Sequence, residues 1–258
     1  MSRLRAKCPD CKTFTAVALG PEYQCHACGR EFAAGLVRVP RAWGKDGDAM
    51  AEAASLPLPY PEAAVVEEDS LGEQTLVLAS ELPERPLVLG GCCCAHTGAV
   101  EGLAARHDRL AVVWVDAHGD LNTPDSSPTG NEWGMPLRKV IDSGAVAADD
   151  VALVGARKLD QPERDFIRES GLHVGKHAVA RAVEGADAVY VAFDGDALDP
   201  DEIACFMPEG GGLRLSEAED LLRALRSRGE VVGAGLTGLV ADPANLEPLA
   251  RITAALWL

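Results

Sequence analysis

Two uninterrupted apolar runs, each closed by acidic residues, dominate the hydrophobic pattern of the chain. Residues 112–115 read VVWV and residues 189–193 read VYVAF. Short continuous runs of this kind predict strands that are buried on both faces, as in a parallel sheet. Similar runs predict further strands within residues 87–91, 151–156 and 231–240.

The segments between these strands have the apolar spacing of amphipathic helices. Ser216 and Glu219 have the spacing of a capping box, which predicts the start of one helix there. Strands that alternate with helices predict an α/β fold, a parallel sheet with helices on both faces. The predicted helices cover residues 98–107, 137–143, about 163–170, 216–228 and 244–258.

Residues 34–84 carry weaker signals than the rest of the chain. A strand is expected to begin near residue 36, followed by a short helix at residues 49–56 and a second strand at residues 63–69. Four prolines within residues 41–84 favour linker structure for part of this region. We therefore predict a linker with the first α/β elements at residues 34–84, and the main α/β domain at residues 85–258.

Four cysteines near the start form two C-x-x-C pairs that are separated by thirteen residues. This spacing is typical of a zinc ribbon, in which two tight turns present four thiolates to one tetrahedral zinc. The alternative is two disulfides, which a cytosolic compartment disfavours. We predict a ribbon at residues 1–33, with strands at residues 13–19 and 23–32 and His26 as a bystander. The four cysteines are Cys8, Cys11, Cys25 and Cys28.

The two long apolar runs both end in groups that can bind metal. Asp116 and His118 lie two residues apart and so share one face of a strand end, and Asp120 follows. Asp194 and Asp196 repeat this arrangement after the second run. Because sites in open α/β sheets lie at the carboxyl ends of strands, the four aspartates are expected to converge. Two divalent ions would balance their charge, whereas turn residues in water are the alternative interpretation.

Three stretches of the chain resemble known signatures. They read LGGCCCAHTGA at residues 89–99, VDAHGDLNTP at residues 115–124 and AFDGDALDP at residues 192–200. These are similar to the GGDH-like turn and the DAHxD and SFDxDxxDP strand ends of the arginase and agmatinase (ureohydrolase) family. The resemblance covers residues 85–258 and implies a three-layer α/β/α arginase-like fold with a dinuclear metal centre.

The resemblance also implies a set of metal ligands. Asp116 and Asp194 would bridge the two ions, while Asp120 with Cys93 completes one coordination sphere. Such a centre lowers the pKa of a bridging water for attack on an amidine or guanidinium carbon. The catalytic residues would be Asp120, which carries a proton to the leaving amine, and His118. The second coordination sphere is completed by His118 and Asp196.

Manganese is the metal that the resemblance implies, but Cys93 stands where the family has a ligating histidine. A thiolate is a softer ligand than imidazole and shifts the preference toward zinc, iron or cobalt. His96, three residues on, is either a substitute ligand or a structural histidine. The expected cofactors are therefore two divalent ions in the main domain and one structural zinc in the ribbon.

Polar residues of two loops match positions at which arginases hold an amino acid. The resemblance implies that one group binds the α-carboxylate and that a second group contacts the α-amino nitrogen. Ordinary polar turns are the alternative. The first group is Asn122, Ser127, Thr129 and Asn131, and the second is Asp160 and Glu163.

Two further departures from the family concern the reacting end of the substrate. Trp133 replaces a histidine that serves as acid, base or shuttle, and Val240 replaces a glutamate that faces the guanidinium. A buried guanidinium without a charge partner is costly. We therefore expect a hydrolase that cleaves a C–N bond in a guanidino, amidino or related amino-acid compound other than free arginine. A catalytically degenerate, metal-stabilised scaffold for a ligand or partner is the alternative.

Composition limits the remaining possibilities. The net charge is −16, and residues 1–40 carry +3, so the rest carries −19, which disfavours a general nucleic-acid binder. No stretch approaches the roughly 20 apolar residues of a membrane span, and the first residues lack the apolar core of a secretion signal. We expect a cytoplasmic protein that acts on a small-molecule substrate and, by resemblance, forms a homo-oligomer.

Overall fold

The computed structural model describes residues 8, 10–11, 13, 15–19, 22–33, 35–60 and 62–256. Parts of the predicted ribbon, residues 34 and 61 of the predicted linker region and the last two residues of the predicted closing helix lie outside the described residues. The described chain forms two sheets, one of three strands and one of eight.

The small sheet lies within the predicted ribbon. It is antiparallel, in the order β1, β2, β3. The prediction of a single strand across residues 23–32 was wrong, because a turn after Cys25 divides it. Gly29, at φ +74°, closes this turn by donating its N–H to the Cys25 carbonyl at 2.8 Å. The three strands are β1 (Ala16–Leu19), β2 (Glu22–Cys25) and β3 (Glu31–Ala33).

The large sheet confirms the predicted α/β architecture. Its order is β5-β4-β6-β11-β10-β7-β8-β9, and every strand pair in the described part is parallel. β6, β11, β10 and β7, where the site forms, therefore lie side by side within the sheet. The strands are β4 (Leu36–Val39), β5 (Glu62–Val65), β6 (Leu87–Gly90), β7 (Leu110–Val115), β8 (Val151–Val154), β9 (His173–Val174), β10 (Ala188–Asp194) and β11 (Val231–Thr237).

Helices cover both faces of this sheet, as expected for parallel strands. Val113 of β7 packs in a core with Leu222 and Ile252, whereas its neighbour Val112 packs on the opposite face with Val100. None of the helices in the described ranges is long and apolar enough to cross a membrane. The helices are α1 (Asp48–Ala53), α2 (Leu71–Glu81), α3 (Cys94–Ala104), α4 (Pro136–Asp142), α5 (Gln161–Ser170), α6 (Val179–Ala182), α7 (Leu215–Arg226) and α8 (Leu246–Leu256).

Several element boundaries differ from the predictions. Helix α3 begins at Cys94 rather than at residue 98, because the turn after β6 leads directly into it. The predicted capping box of α7 was also wrong. Glu217 accepts the backbone N–H of Arg214 at 2.9 Å, whereas Glu219 pairs with Arg251 at 2.6 Å. Helix α2 was not predicted.

Candidate metal centre

The predicted ligands lie together at the carboxyl ends of four neighbouring strands, β6, β11, β10 and β7. Asp116 follows β7 directly, Asp194 is the last residue of β10 and Thr237 the last of β11. Cys93 lies three residues beyond β6, at the start of α3. Because parallel strands end at the same edge, residues far apart in the sequence converge there.

The end of β7 is held by its own backbone and by one indole. Asp116 accepts the backbone N–H of His118 at 2.7 Å and the Nε1–H of Trp114 at 3.3 Å. Asp120 has a left-handed backbone conformation with φ +53°. Its Oδ2 atom is buried and has no hydrogen-bond partner among the described residues. Such an orphaned acceptor is costly unless a cation or proton compensates for it.

The end of β10 interlocks with the end of β7. Asp194 accepts the N–H of Asp196 at 2.9 Å, and Asp196 accepts the N–H of Ala117 at 3.0 Å. The other Asp196 oxygen lies 2.9 Å from His118 Nδ1. These contacts fix the carboxylates in space before any ligand binds.

Cys93 lies against the carboxylates rather than apart from them. Its Sγ is 3.0 Å from Asp194 Oδ2, 3.3 Å from Thr237 Oγ1 and 3.7 Å from Asp116 Oδ2. Burial raises the pKa of the Cys93 thiol well above its usual value, and the charge of Asp194 raises it further. A cation is needed to hold this sulfur as a thiolate at neutral pH.

The electrostatics of the cluster also call for cations. Burial raises the pKa of Asp194 to about 7 and that of Asp196 to about 6, and neighbouring carboxylates add to both shifts. Burial also raises the pKa of Asp120 well above its usual value. For His118, burial lowers the pKa, but hydrogen bonds to Asp116 and Asp196 outweigh it and raise the pKa to about 12. In the absence of metal, the cluster retains protons.

The geometry of the donors fits two divalent ions. Ligand atoms of Cys93, Asp116 and Asp120 lie within 4.8 Å of one another, and so do those of Asp116, His118 and Asp196. Asp116 belongs to both groups, as the predicted bridging role requires. Asp194 contacts Cys93 and completes the cluster. Carboxylate, imidazole and thiol donors suit manganese, zinc, iron or cobalt.

Apolar side chains form the wall of the pocket over these ligands. Trp133 is buried, stacks edge-on to Phe206 at 5.9 Å and packs directly on the backbone of Gly44. Met50 of α1 and Met207 also line the pocket. The sequence predictions missed Met50, Phe206 and Met207, which come from distant segments without a motif.

Val240 stands, by resemblance, where the family has a glutamate. It is not among the described residues that line the pocket. Its carbonyl accepts the Asn245 side-chain amide at 3.0 Å, which anchors the turn after β11. Apart from the predicted metal ligands, the described pocket lining contains no carboxylate.

The predicted α-amino contacts occupy the start of α5. Glu163 is buried and accepts the backbone N–H groups of Asp160 at 2.8 Å and Leu121 at 3.1 Å. Asp160 in turn accepts the side-chain amide of Asn122 at 3.1 Å. The Asp160–Glu163 spacing is that of a capping box, which was a signal visible in the sequence.

The remaining predicted substrate residues lie in the loop between β7 and α4. Ser127 accepts the N–H of Gly130 at 3.0 Å, and Thr129 accepts the N–H of Asn131 at 3.2 Å. Asn131 accepts the N–H of Lys45 at 3.0 Å. None of the six predicted substrate residues is among the described residues that line the pocket.

The four N-terminal cysteines also converge. Their sulfur atoms all lie within 4.8 Å of one another. Cys8 and Cys28 are 3.5 Å apart, as are Cys11 and Cys25, well beyond the roughly 2.05 Å of a disulfide. A hydrogen bond from Thr15 lowers the pKa of Cys25 to about 5, which favours the thiolate that zinc binds.

Comparison with known proteins identifies the family of the chain. The model of the arginase family matches residues 49–245. The chain belongs to the arginase family. Its similarity to the arginase of Bacillus subtilis is 34% identity over 175 residues, which cover 58% of this chain and 59% of that protein. The chain thus matches less than two thirds of the length of this curated relative.

Solved structures of the family have the same fold. The crystal structure of Bacillus subtilis arginase matches 87% of this chain and 98% of its own, with a TM-score of 0.74 and 25% identity. The proclavaminate amidino hydrolase of Streptomyces clavuligerus matches 87% of this chain and 93% of its own, with a TM-score of 0.67 and 20% identity. The second likeness concerns the fold alone.

Proposed function

We propose that this arginase-family chain is a metal-dependent hydrolase that cleaves a C–N bond in a guanidino, amidino or related amino-acid compound other than free arginine. The observation that carries the proposal is the convergence of six potential ligands, one of which is Asp120, whose buried Oδ2 has no partner among the described residues. A buried carboxylate cluster of this kind is costly unless it binds cations.

The ligand assignment follows the two donor groups. Asp116 and Asp194 would be shared by the two ions, with Cys93 and Asp120 holding one and His118 and Asp196 holding the other. Two divalent ions, of manganese or of the zinc, iron or cobalt that the Cys93 thiolate favours, would supply Lewis acidity and lower the pKa of water to near neutrality.

The remaining groups of the chain define what can react. Asp120, whose pKa burial raises, can hold a proton at its carboxylate and transfer it to a leaving nitrogen. His118 contacts Asp196 through Nδ1, and with one ring nitrogen on the metal its other ring nitrogen could accept or return a proton. Trp133 and Phe206 keep bulk water away from these groups. Because the described pocket lining has no carboxylate beyond the ligands, a free guanidinium would lack its usual counter-charge.

The test is a product assay on protein of known metal content. We expect elemental analysis of protein purified without chelator to find about three metals per chain, two in the main domain and one in the ribbon. A screen of guanidino, amidino and amide compounds should then release urea or ammonia. Asp120→Asn should abolish release. Activity that persists in this variant would contradict the assigned role of Asp120.

A metal-stabilised scaffold is the second candidate, and the position of Trp133 favours it. This ring lines the pocket, and by resemblance it replaces a family histidine that takes part in proton transfer. In a scaffold, the fully metallated wild type would release no product from any compound, so product from the wild type excludes the scaffold. Product from Trp133→His alone, which restores the family residue, would attribute the loss of turnover to this ring.

The proposal also covers the N-terminal module and the assembly. Cys8, Cys11, Cys25 and Cys28 would hold one structural zinc within a ribbon at residues 1–33. Residues 34–84 would lead into the main domain at residues 85–258. A cytoplasmic location and a homo-oligomeric state are consistent with the family, and sedimentation of the metallated protein tests the second.

A further inference from the structure

A buried series of hydrogen bonds connects Tyr190, His96 and Thr237 to Asp194 of the candidate metal centre. Tyr190, His96 and Thr237 each expose 0% of their surface. The Tyr190 hydroxyl lies 2.9 Å from His96 Nδ1, and His96 Nε2 lies 3.1 Å from Thr237 Oγ1. Thr237 Oγ1 lies 3.2 Å from Asp194 Oδ2. His96 therefore contacts no predicted ligand directly. The series of hydrogen bonds reaches Asp194 through the hydroxyl of Thr237.

The direction of these hydrogen bonds follows from their end point. When Asp194 binds metal it is ionised and can only accept, so the Thr237 hydroxyl donates to it. That hydroxyl has no second proton, and His96 must therefore donate from Nε2 to Thr237. Burial lowers the pKa of His96 to about 3, so the ring is neutral and its Nδ1 accepts from the Tyr190 hydroxyl. One tautomer satisfies every group in the chain.

Gly235 of β11 leaves room for this series of hydrogen bonds. A Cβ atom at Gly235 would lie 2.5 Å from the Tyr190 hydroxyl and 2.6 Å from His96 Nδ1. Contacts under 3.0 Å are not tolerated, so only glycine leaves room for both groups. The edge of Trp114, itself bonded to Asp116, packs against the His96 ring at 5.0 Å. The same ring is thus held on two sides.

We propose that Tyr190, His96 and Thr237 are positioning residues that hold the Asp194 carboxylate in the orientation required for metal binding. Asp194 Oδ1 is fixed by the N–H of Asp196, and the chain fixes Oδ2. With both oxygens held, the carboxylate cannot rotate away from the Cys93 sulfur. Outer hydrogen bonds of this kind typically contribute 10- to 100-fold to metal affinity. The inference rests on the proposed metal centre, but not on turnover.

The experiment measures cobalt binding by the full-length chain, using visible absorption and the near-ultraviolet thiolate band. Thr237→Val, which keeps the shape and removes the hydroxyl, should weaken binding about 10- to 100-fold. Thr237→Ser restores the hydroxyl and should recover most of this loss. Thr253→Val is the matched control. Thr253 of α8 is equally buried, and its hydroxyl forms a hydrogen bond of 2.7 Å with the Tyr60 hydroxyl. Loss of the Thr253 hydroxyl should therefore leave cobalt binding unchanged.

A second readout tests the direction of these hydrogen bonds. Nitrogen-15 spectra of the imidazole should show His96 as the neutral Nε2–H tautomer in the zinc-loaded wild type. An Nδ1–H tautomer, or cobalt binding that is unchanged in Thr237→Val, overturns the inference and leaves the metal centre standing. If the wild type itself binds no cobalt at the main domain, the proposed function fails with it.

Discussion

Gly238 offers a direct test of how closely the backbone of the site fits Asp194. This residue follows β11 with φ +67°, and a Cβ atom there would overlap the Asp194 carboxylate. The left-handed conformation costs an alanine about 1–2 kcal/mol. Forced displacement of a packed neighbour adds about 1–3 kcal/mol. Gly238→Ala should therefore lower the free energy of unfolding by about 2–5 kcal/mol.

Gly144 provides the control, because it has φ +77° and nothing within 4 Å of its virtual Cβ. Gly144→Ala should lose only the backbone contribution of about 1–2 kcal/mol. Urea denaturation of the metal-free proteins, with equal m-values, measures both losses. Gly238→Ala should also bind less metal, since Asp194 is displaced, whereas Gly144→Ala should bind as the wild type does. Equal losses of stability and equal metal contents would refute the reasoning.

Three further predictions concern the metals. Cys93→His should shift the preference from zinc or cobalt toward manganese in competitive loading, and an unchanged order would remove Cys93 from the ligand set. Metal affinity measured by calorimetry should rise about tenfold per pH unit for each proton displaced, because His118, whose pKa is raised to about 12, must lose its proton to bind; a pH-independent affinity would contradict this. Cys25→Ser should lose one zinc per chain, while exposed His26→Ala should retain it; zinc retained in both would contradict the ribbon.

The residues that could be predicted from sequence are those whose position depends on local pattern plus strand direction. Asp116 and Asp194 each follow an apolar run, and parallel strands end at the same edge. Their convergence therefore required only the correct fold class. Cys93 was located by its motif, and the structure places its sulfur against Asp194.

Other features depend on contacts that sequence periodicity does not encode. Met50 and Phe206 reach the pocket from α1 and from the segment after β10, and neither lies in a motif. By resemblance, Val240 takes a functional family position, yet the described pocket lining does not include it. A motif resemblance gives the backbone position, but the course of the following turn decides which side chain faces the pocket.

Local hydrogen bonding can also account for residues that resemble binding groups. Asp160 and Glu163 close a capping box at the start of α5, so a helix-start pattern and a family substrate position coincide in the same residues. His96 shows the opposite case. The sequence left open whether His96 is a structural residue or a metal ligand. In the structure it is buried and contacts Thr237, which in turn contacts Asp194, so neither description is sufficient.

The cost of the acidic cluster separates metal binding from catalysis. Asp116, Asp194 and Asp196 each accept a backbone N–H, but the Oδ2 atom of Asp120 has no donor in the described chain. Buried carboxylates of this kind reduce stability in the absence of a counter-charge. A chain with no use for cations would gain stability by replacing Asp120 with a neutral residue. Both the hydrolase and the scaffold therefore require metal, and only the release of product distinguishes them.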